Sequence, residues 1–64
     1  MFEITVWLNG VVVHNEKFYT LYSAENALAS YMGIIMAWRN DANSIAWSVT
    51  GENTDNTGAW EHVQ

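Results

Sequence analysis

The stretch Phe2-Glu3-Ile4-Thr5-Val6-Trp7-Leu8-Asn9-Gly10-Val11-Val12-Val13-His14-Asn15-Glu16 decides the fold. From Phe2 to Leu8 apolar and polar residues alternate, which places Phe2, Ile4, Val6 and Leu8 on one face and Glu3, Thr5 and Trp7 on the other. That period belongs to a half-buried strand. Asn9-Gly10 is the dipeptide that best tolerates the two positive φ angles of a type I′ turn, so Val11 to Glu16 reads as the return strand of a hairpin. A two-residue loop sets the expected register: Leu8 opposite Val11, Trp7 opposite Val12, Val6 opposite Val13, Thr5 opposite His14, Ile4 opposite Asn15 and Glu3 opposite Glu16. Val11 and Val13 then join the inner face. The outer face carries Trp7 beside Val12 and the like-charged pair Glu3 and Glu16, which costs stability unless solvent or a cationic partner relieves it.

Beyond the aromatic connection Phe18 to Tyr22, Ser23 is positioned as an N-cap with Glu25 in the first turn, which predicts a helix from about Ala24. Ala24, Ala27, Leu28, Tyr31, Ile35 and Trp38 recur at three- and four-residue spacing and form a stripe able to cover the hairpin's inner face. Met32, Ile34 and Met36 widen that stripe. Turn-favouring Asn40, Asp41 and Asn43 predict the helix stop between Arg39 and Asn43. Ser44 to Thr50 alternates again, with Ile45, Trp47 and Val49 on one face. Residues 51 to 58 read as a polar loop and Trp60 to Val63 as a short final strand. The expected fold class is α+β: a two-layer β-β-α-β-β sandwich of one helix on a four-stranded, mainly antiparallel sheet, in a single domain spanning 1–64. Its other sheet face is expected to be open.

A chain of 64 residues buries a small core, and with no cysteine neither disulfides nor a thiolate metal site reinforces it. No apolar run approaches the ~20 residues of a membrane helix. Met1 to Val6 alternates and lacks the basic start of a signal peptide, so a cytoplasmic chain is expected. Seven carboxylates against only Lys17 and Arg39 give a net charge of −5, which opposes direct nucleic-acid binding and favours a basic protein surface as partner.

Catalysis finds little support. No serine lies in a nucleophile-elbow pattern, and Gly10, Gly33, Gly51 and Gly58 are scattered too widely to cradle phosphate. His14 and His62 could approach Glu3, Glu16 and Glu61 if the last strand lay beside the first, a nitrogen and carboxylate set suited to zinc. They lack the i, i+4 spacing of a helical zinc site and read as surface residues. The 52 to 56 stretch lacks the acidic spacing of a calcium loop. No cofactor, metal or enzymatic activity is expected, and a metal-dependent enzyme ranks last among the alternatives.

The informative surplus is aromatic. With four tryptophans, three tyrosines and two phenylalanines, the chain has more large rings than one thin core holds. Assigning Phe2, Tyr31, Trp38 and Trp47 to the core leaves Trp7, Tyr19, Tyr22 and Trp60 for a surface, and tryptophan and tyrosine are favoured at binding hot spots. Together with the carboxylates, the expected binding set is Glu3, Trp7, Glu16, Tyr19, Tyr22, Glu52, Asp55, Trp60 and Glu61.

A hairpin turning at Leu8-Asn9-Gly10, one helix, and a second hairpin bearing Trp47 resemble the immunoglobulin-binding B domain of streptococcal protein G. The long polar stretch at 51 to 58 and the broadly apolar helix depart from that pattern, so antibody binding is not implied. In size and acidity the chain also resembles the anti-CRISPR proteins, small inhibitors encoded by phages and mobile elements. That resemblance implies a cytoplasmic, non-enzymatic protein of the host cell's interior that occludes a nucleic-acid groove on a CRISPR-Cas effector subunit. Glu3, Glu16, Glu52, Asp55 and Glu61 would stand in for phosphates as a DNA mimic. The alternative is a protein-recognition module working through exposed aromatics, as a monomer or weak homodimer.

Overall fold

The computed structural model describes residues 1–37 and 43–61. It holds β1 (Phe2–Leu8), β2 (Val11–Phe18), α1 (Leu21–Ala37), β3 (Ser44–Gly51) and β4 (Thr54–Glu61). The strands form one antiparallel sheet in the order β2-β1-β3-β4, and the helix packs on one side of it. The α+β class and element order therefore agree with the sequence. The predicted helix stop at 39–43 falls outside the described residues except for Asn43, and Trp38, His62 and Val63 fall wholly outside them.

At the first turn Asn9 and Gly10 have φ of 52° and 83°, the positive pair of a type I′ turn. Asn9 also anchors the turn to the rest of the sheet. Its Oδ1 accepts hydrogen bonds from the backbone N–H groups of Asn43 (2.7 Å) and Ser44 (3.1 Å), and its own N–H donates to the Ser44 carbonyl at 2.9 Å.

The hairpin register departs from expectation beyond Trp7. Leu8 and Trp7 face Val11 and Val12, but Val6 faces His14, so Val13 is the extra residue of a β-bulge. Every later pair shifts by one: Glu3 faces Lys17, Ile4 faces Glu16 and Phe2 faces Phe18. The physical reason lies at the far end of the strand. Without the bulge Phe18 would stand opposite Met1 on the outer face. With it Phe18 packs against the core around Phe2, Ile4, Ala24 and Val49, and opposite charges replace the expected Glu3 and Glu16 pair. Val11 and Val13, expected inside, are exposed instead.

The helix begins earlier than Ala24. Thr20, not Ser23, is its N-cap: Thr20 Oγ1 accepts the Ser23 backbone N–H at 3.1 Å, and the Thr20 carbonyl accepts the first helical bond from Ala24 at 3.2 Å. Glu25 consequently lies beyond the first turn. The apolar stripe is real. Ala24 and Ile35 are buried, and Ala27, Leu28, Tyr31 and Met32 pack against the two core clusters, while Ile34 is exposed.

The second hairpin overturns the expected loop at 51 to 58. Glu52 and Asn53, with φ of 42° and 69°, form a two-residue turn that pairs Gly51 with Thr54, and β4 runs from Thr54 to Glu61. The final strand is thus longer and starts earlier than Trp60. Gly51 has φ of 134°, and a β-carbon there would overlap the Met1 carbonyl oxygen. Both the conformation and the close approach require glycine.

The core has two parts. Phe2, Ile4, Ala24 and Val49 form one, and Val6, Ile35 and Ile45 the other, flanked by Leu8, Tyr31, Trp47 and Trp60. The helix lies closest to β1, β2 and β3, while β4 reaches the helix-side core through Trp60, packed against the cluster of Val6, Ile35 and Ile45.

Candidate functional site: the open sheet face

Residues directly opposite in an antiparallel pair share a face, so the register defines the side of the sheet away from α1. Three rows cross all four strands in the order β2, β1, β3, β4. Lys17, Glu3, Thr50 and Asp55 form the charged row. Asn15, Thr5, Ser48 and Thr57 form a hydroxyl and amide row. Val12, Trp7, Ala46 and Ala59 form the apolar row, with Glu61 opposite Ser44 beyond it.

The central residues of this face are small, which leaves Trp7 as its largest side chain. Glu3 is held in place from β2: Asn15 Nδ2 donates to Glu3 Oε2 at 3.0 Å, to Thr5 Oγ1 at 2.9 Å and to the Ile4 carbonyl at 3.2 Å. Strand spacing of ~4.8 Å puts Glu3 and Asp55, two strands apart, about 10 Å from each other, while Asp55 and Glu61 lie about 20 Å apart along β4. Lys17 is the one cation in these rows, and it forms no ion pair with Glu3. A hollow of about 210 Å³ opens at this end, bordered by Met1, Glu3, Lys17, Thr50 and Gly51.

Of the binding residues expected from sequence, the fold brings Glu3, Trp7, Asp55 and Glu61 to this face. The others go elsewhere. Glu16 turns to the helix side, where its Oε1 meets His14 Nε2 at 3.3 Å. Trp60, opposite Ile45, packs on the helix-side core. Glu52 sits in the β3–β4 turn and accepts a 2.7 Å hydrogen bond from the Met1 amino group. Tyr19, just before the helix, and Tyr22, in its first turn, are 86% and 78% exposed, the most open large hydrophobic side chains described.

Of the histidine and carboxylate grouping considered for zinc, His62 lies outside the described residues, and the described members do not gather into one cluster. His14 stacks on Tyr31 with ring centroids 4.2 Å apart, on the helix side of edge strand β2, whereas Glu61 lies on β4 at the opposite edge. Among the described residues no three histidine or carboxylate side chains cluster. No described helix is long and apolar enough to cross a membrane.

Sequence reasoning missed Asn15, Lys17, Ser48 and Thr57 as members of the face. Lys17 comes to oppose Glu3 only through the Val13 bulge, and its charge complementarity to Glu3 was the one signal in the sequence that favoured that register. Compared with family models, curated proteins and solved structures, the chain has no match.

Proposed function

We propose that this protein is a non-enzymatic binding inhibitor that docks its open sheet face on a basic, nucleic-acid-binding protein surface and occludes it, in the manner of an anti-CRISPR protein acting on a CRISPR-Cas effector subunit. The observation that carries the reading is the placement of Glu3, Asp55 and Glu61 around Trp7 on the face away from α1, with Lys17 as its only positive side chain among the described residues. Carboxylates spaced about 10 to 20 Å apart on a flat sheet can meet arginine and lysine side chains that otherwise hold phosphates. The indole supplies a central anchor of the kind that dominates interface energetics. An overall charge of −5 adds long-range attraction to such a surface.

The test is competition. With a purified effector complex, the protein should displace bound DNA, and the double variant Glu3→Lys with Asp55→Lys should weaken binding by about tenfold or more. Glu16→Lys, on the helix side, should change it little. Equal losses from both, or undiminished binding by the double variant, would rule out the open face as the contact.

The aromatic alternative draws on Tyr19 and Tyr22, whose exposure suits a protein-recognition module. Under that reading Tyr19→Ala with Tyr22→Ala abolishes binding and the charge variants do not.

A further inference from the structure

Because α1 lies closest to β1, β2 and β3 and stands further from β4, a cleft of about 460 Å³ opens between the helix and the β3–β4 hairpin, on the opposite side of the sheet from the proposed interface. Its apolar lining comes from Leu28 and Met32 on the helix and Trp47 and Val49 on β3. Glu25 from the helix wall and Asn56 from the β4 wall supply polar groups. The volume lies within the ~300 to 1,000 Å³ range of small-ligand sites, and apolar walls with a few placed polar groups are their usual character.

We infer that this cleft binds a small amphipathic organic cation, its aromatic or alkyl body against Trp47, Leu28 and Met32 and its charged head at Glu25. Charge selects the class. Glu25 is exposed and makes no ion pair among the described residues, so it repels an organic anion and is left unused by a neutral ligand. An indole is also the best ring partner for a cation. Trp47 is held in the cleft by the fold itself, since it lies over Gly58, where any side chain would collide with it. Asn56 adds an amide able to accept a hydrogen bond from an amidine or ammonium head. Thr57 borders the cleft and also belongs to the open face, but no contact proposed here uses it, so the inference stands or falls separately from the inhibitor reading.

Benzamidine, benzamide and benzoate share one ring and differ in charge, so titrating each into isotope-labelled protein tests the claim by nuclear magnetic resonance. Benzamidine should move the Trp47 indole N–H and the backbone amides of Leu28, Met32 and Asn56, and it should bind more tightly than benzamide, with benzoate weakest. Glu25→Gln should reduce benzamidine affinity about two- to fivefold, the range for one exposed ion pair, and bring it level with benzamide. Ala29→Leu, which adds bulk from an exposed helix position lining the cleft, should abolish the shifts while the rest of the amide spectrum stays folded. Equal binding of all three compounds, shifts outside the cleft, unchanged binding by the Ala29→Leu protein, or no response to millimolar benzamidine would each overturn it.

Discussion

The indole of Trp47 lies directly over Gly58, its register partner on β4, so that a β-carbon at position 58 would overlap the ring. The contact joins the least covered strand to the core, because Trp47 packs in turn against the cluster of Val6, Ile35 and Ile45.

Gly58→Ala should therefore destabilise the protein by about 1 to 3 kcal/mol, the usual cost of forcing an extra carbon into a packed site. Urea unfolding followed by far-ultraviolet circular dichroism measures it. The near-ultraviolet spectrum of the folded variant should change as well, since the ring has to move.

The positive-φ glycines should differ in sensitivity. Gly10 at φ 83° has open space around its missing β-carbon, so Gly10→Ala should cost only the left-handed penalty of about 1 to 2 kcal/mol. Gly51→Ala adds a collision with the Met1 carbonyl at φ 134° and should cost more. Comparable denaturation midpoints for the two variants would contradict this ordering.

Capping offers a test of the helix start. Thr20→Ala removes the acceptor of the Ser23 N–H and should cost about 1 kcal/mol. Ser23→Ala leaves that bond in place and should stay within about 0.5 kcal/mol of the parent. Thermal melts of the two proteins at one pH decide between them.

The bulged register has an electrostatic signature. Lys17→Glu sets two carboxylates opposite each other and should destabilise by about 0.2 to 1 kcal/mol, an effect that shrinks in high salt. Had Glu16 faced Glu3, a lysine at 16 would instead have been the stabilising change. Paired denaturation curves at low and high ionic strength distinguish the registers.

If carboxylates of the open face carry the interaction, affinity for a basic partner should fall about tenfold or more between ~50 and ~200 mM salt, chiefly through slower association. Surface plasmon resonance across that range reads both rates. Salt-independent affinity would favour the exposed tyrosines.

Much of this architecture was legible in local chemistry. Asn9-Gly10 specified a turn because few other dipeptides accept its backbone angles, and the alternation from Phe2 to Leu8 named the inner set Phe2, Ile4, Val6 and Leu8, of which the first three are buried and Leu8 is half-buried. The helical stripe through Ala24, Leu28 and Ile35 was equally plain, since burial at a helix surface imposes its own period. Of the site, Glu3 and Trp7 could be placed together from the first strand alone. The remainder depended on contacts between distant residues. The Val13 bulge exists because Phe18 gains burial beside Phe2, and no local pattern around Val13 announces it. The Glu52-Asn53 turn lacks a glycine at its centre, so the tight hairpin was hidden in a polar run until β3 and β4 paired. Strand pairing then decided the geography of the candidate site. With β1 beside β3 and β4 at the edge, Asp55 and Glu61 join Glu3 and Trp7, while Glu16 and Trp60 turn to the helix side. A one-residue shift in pairing exchanges the two faces of a strand, so where the charges of this protein point was a tertiary outcome.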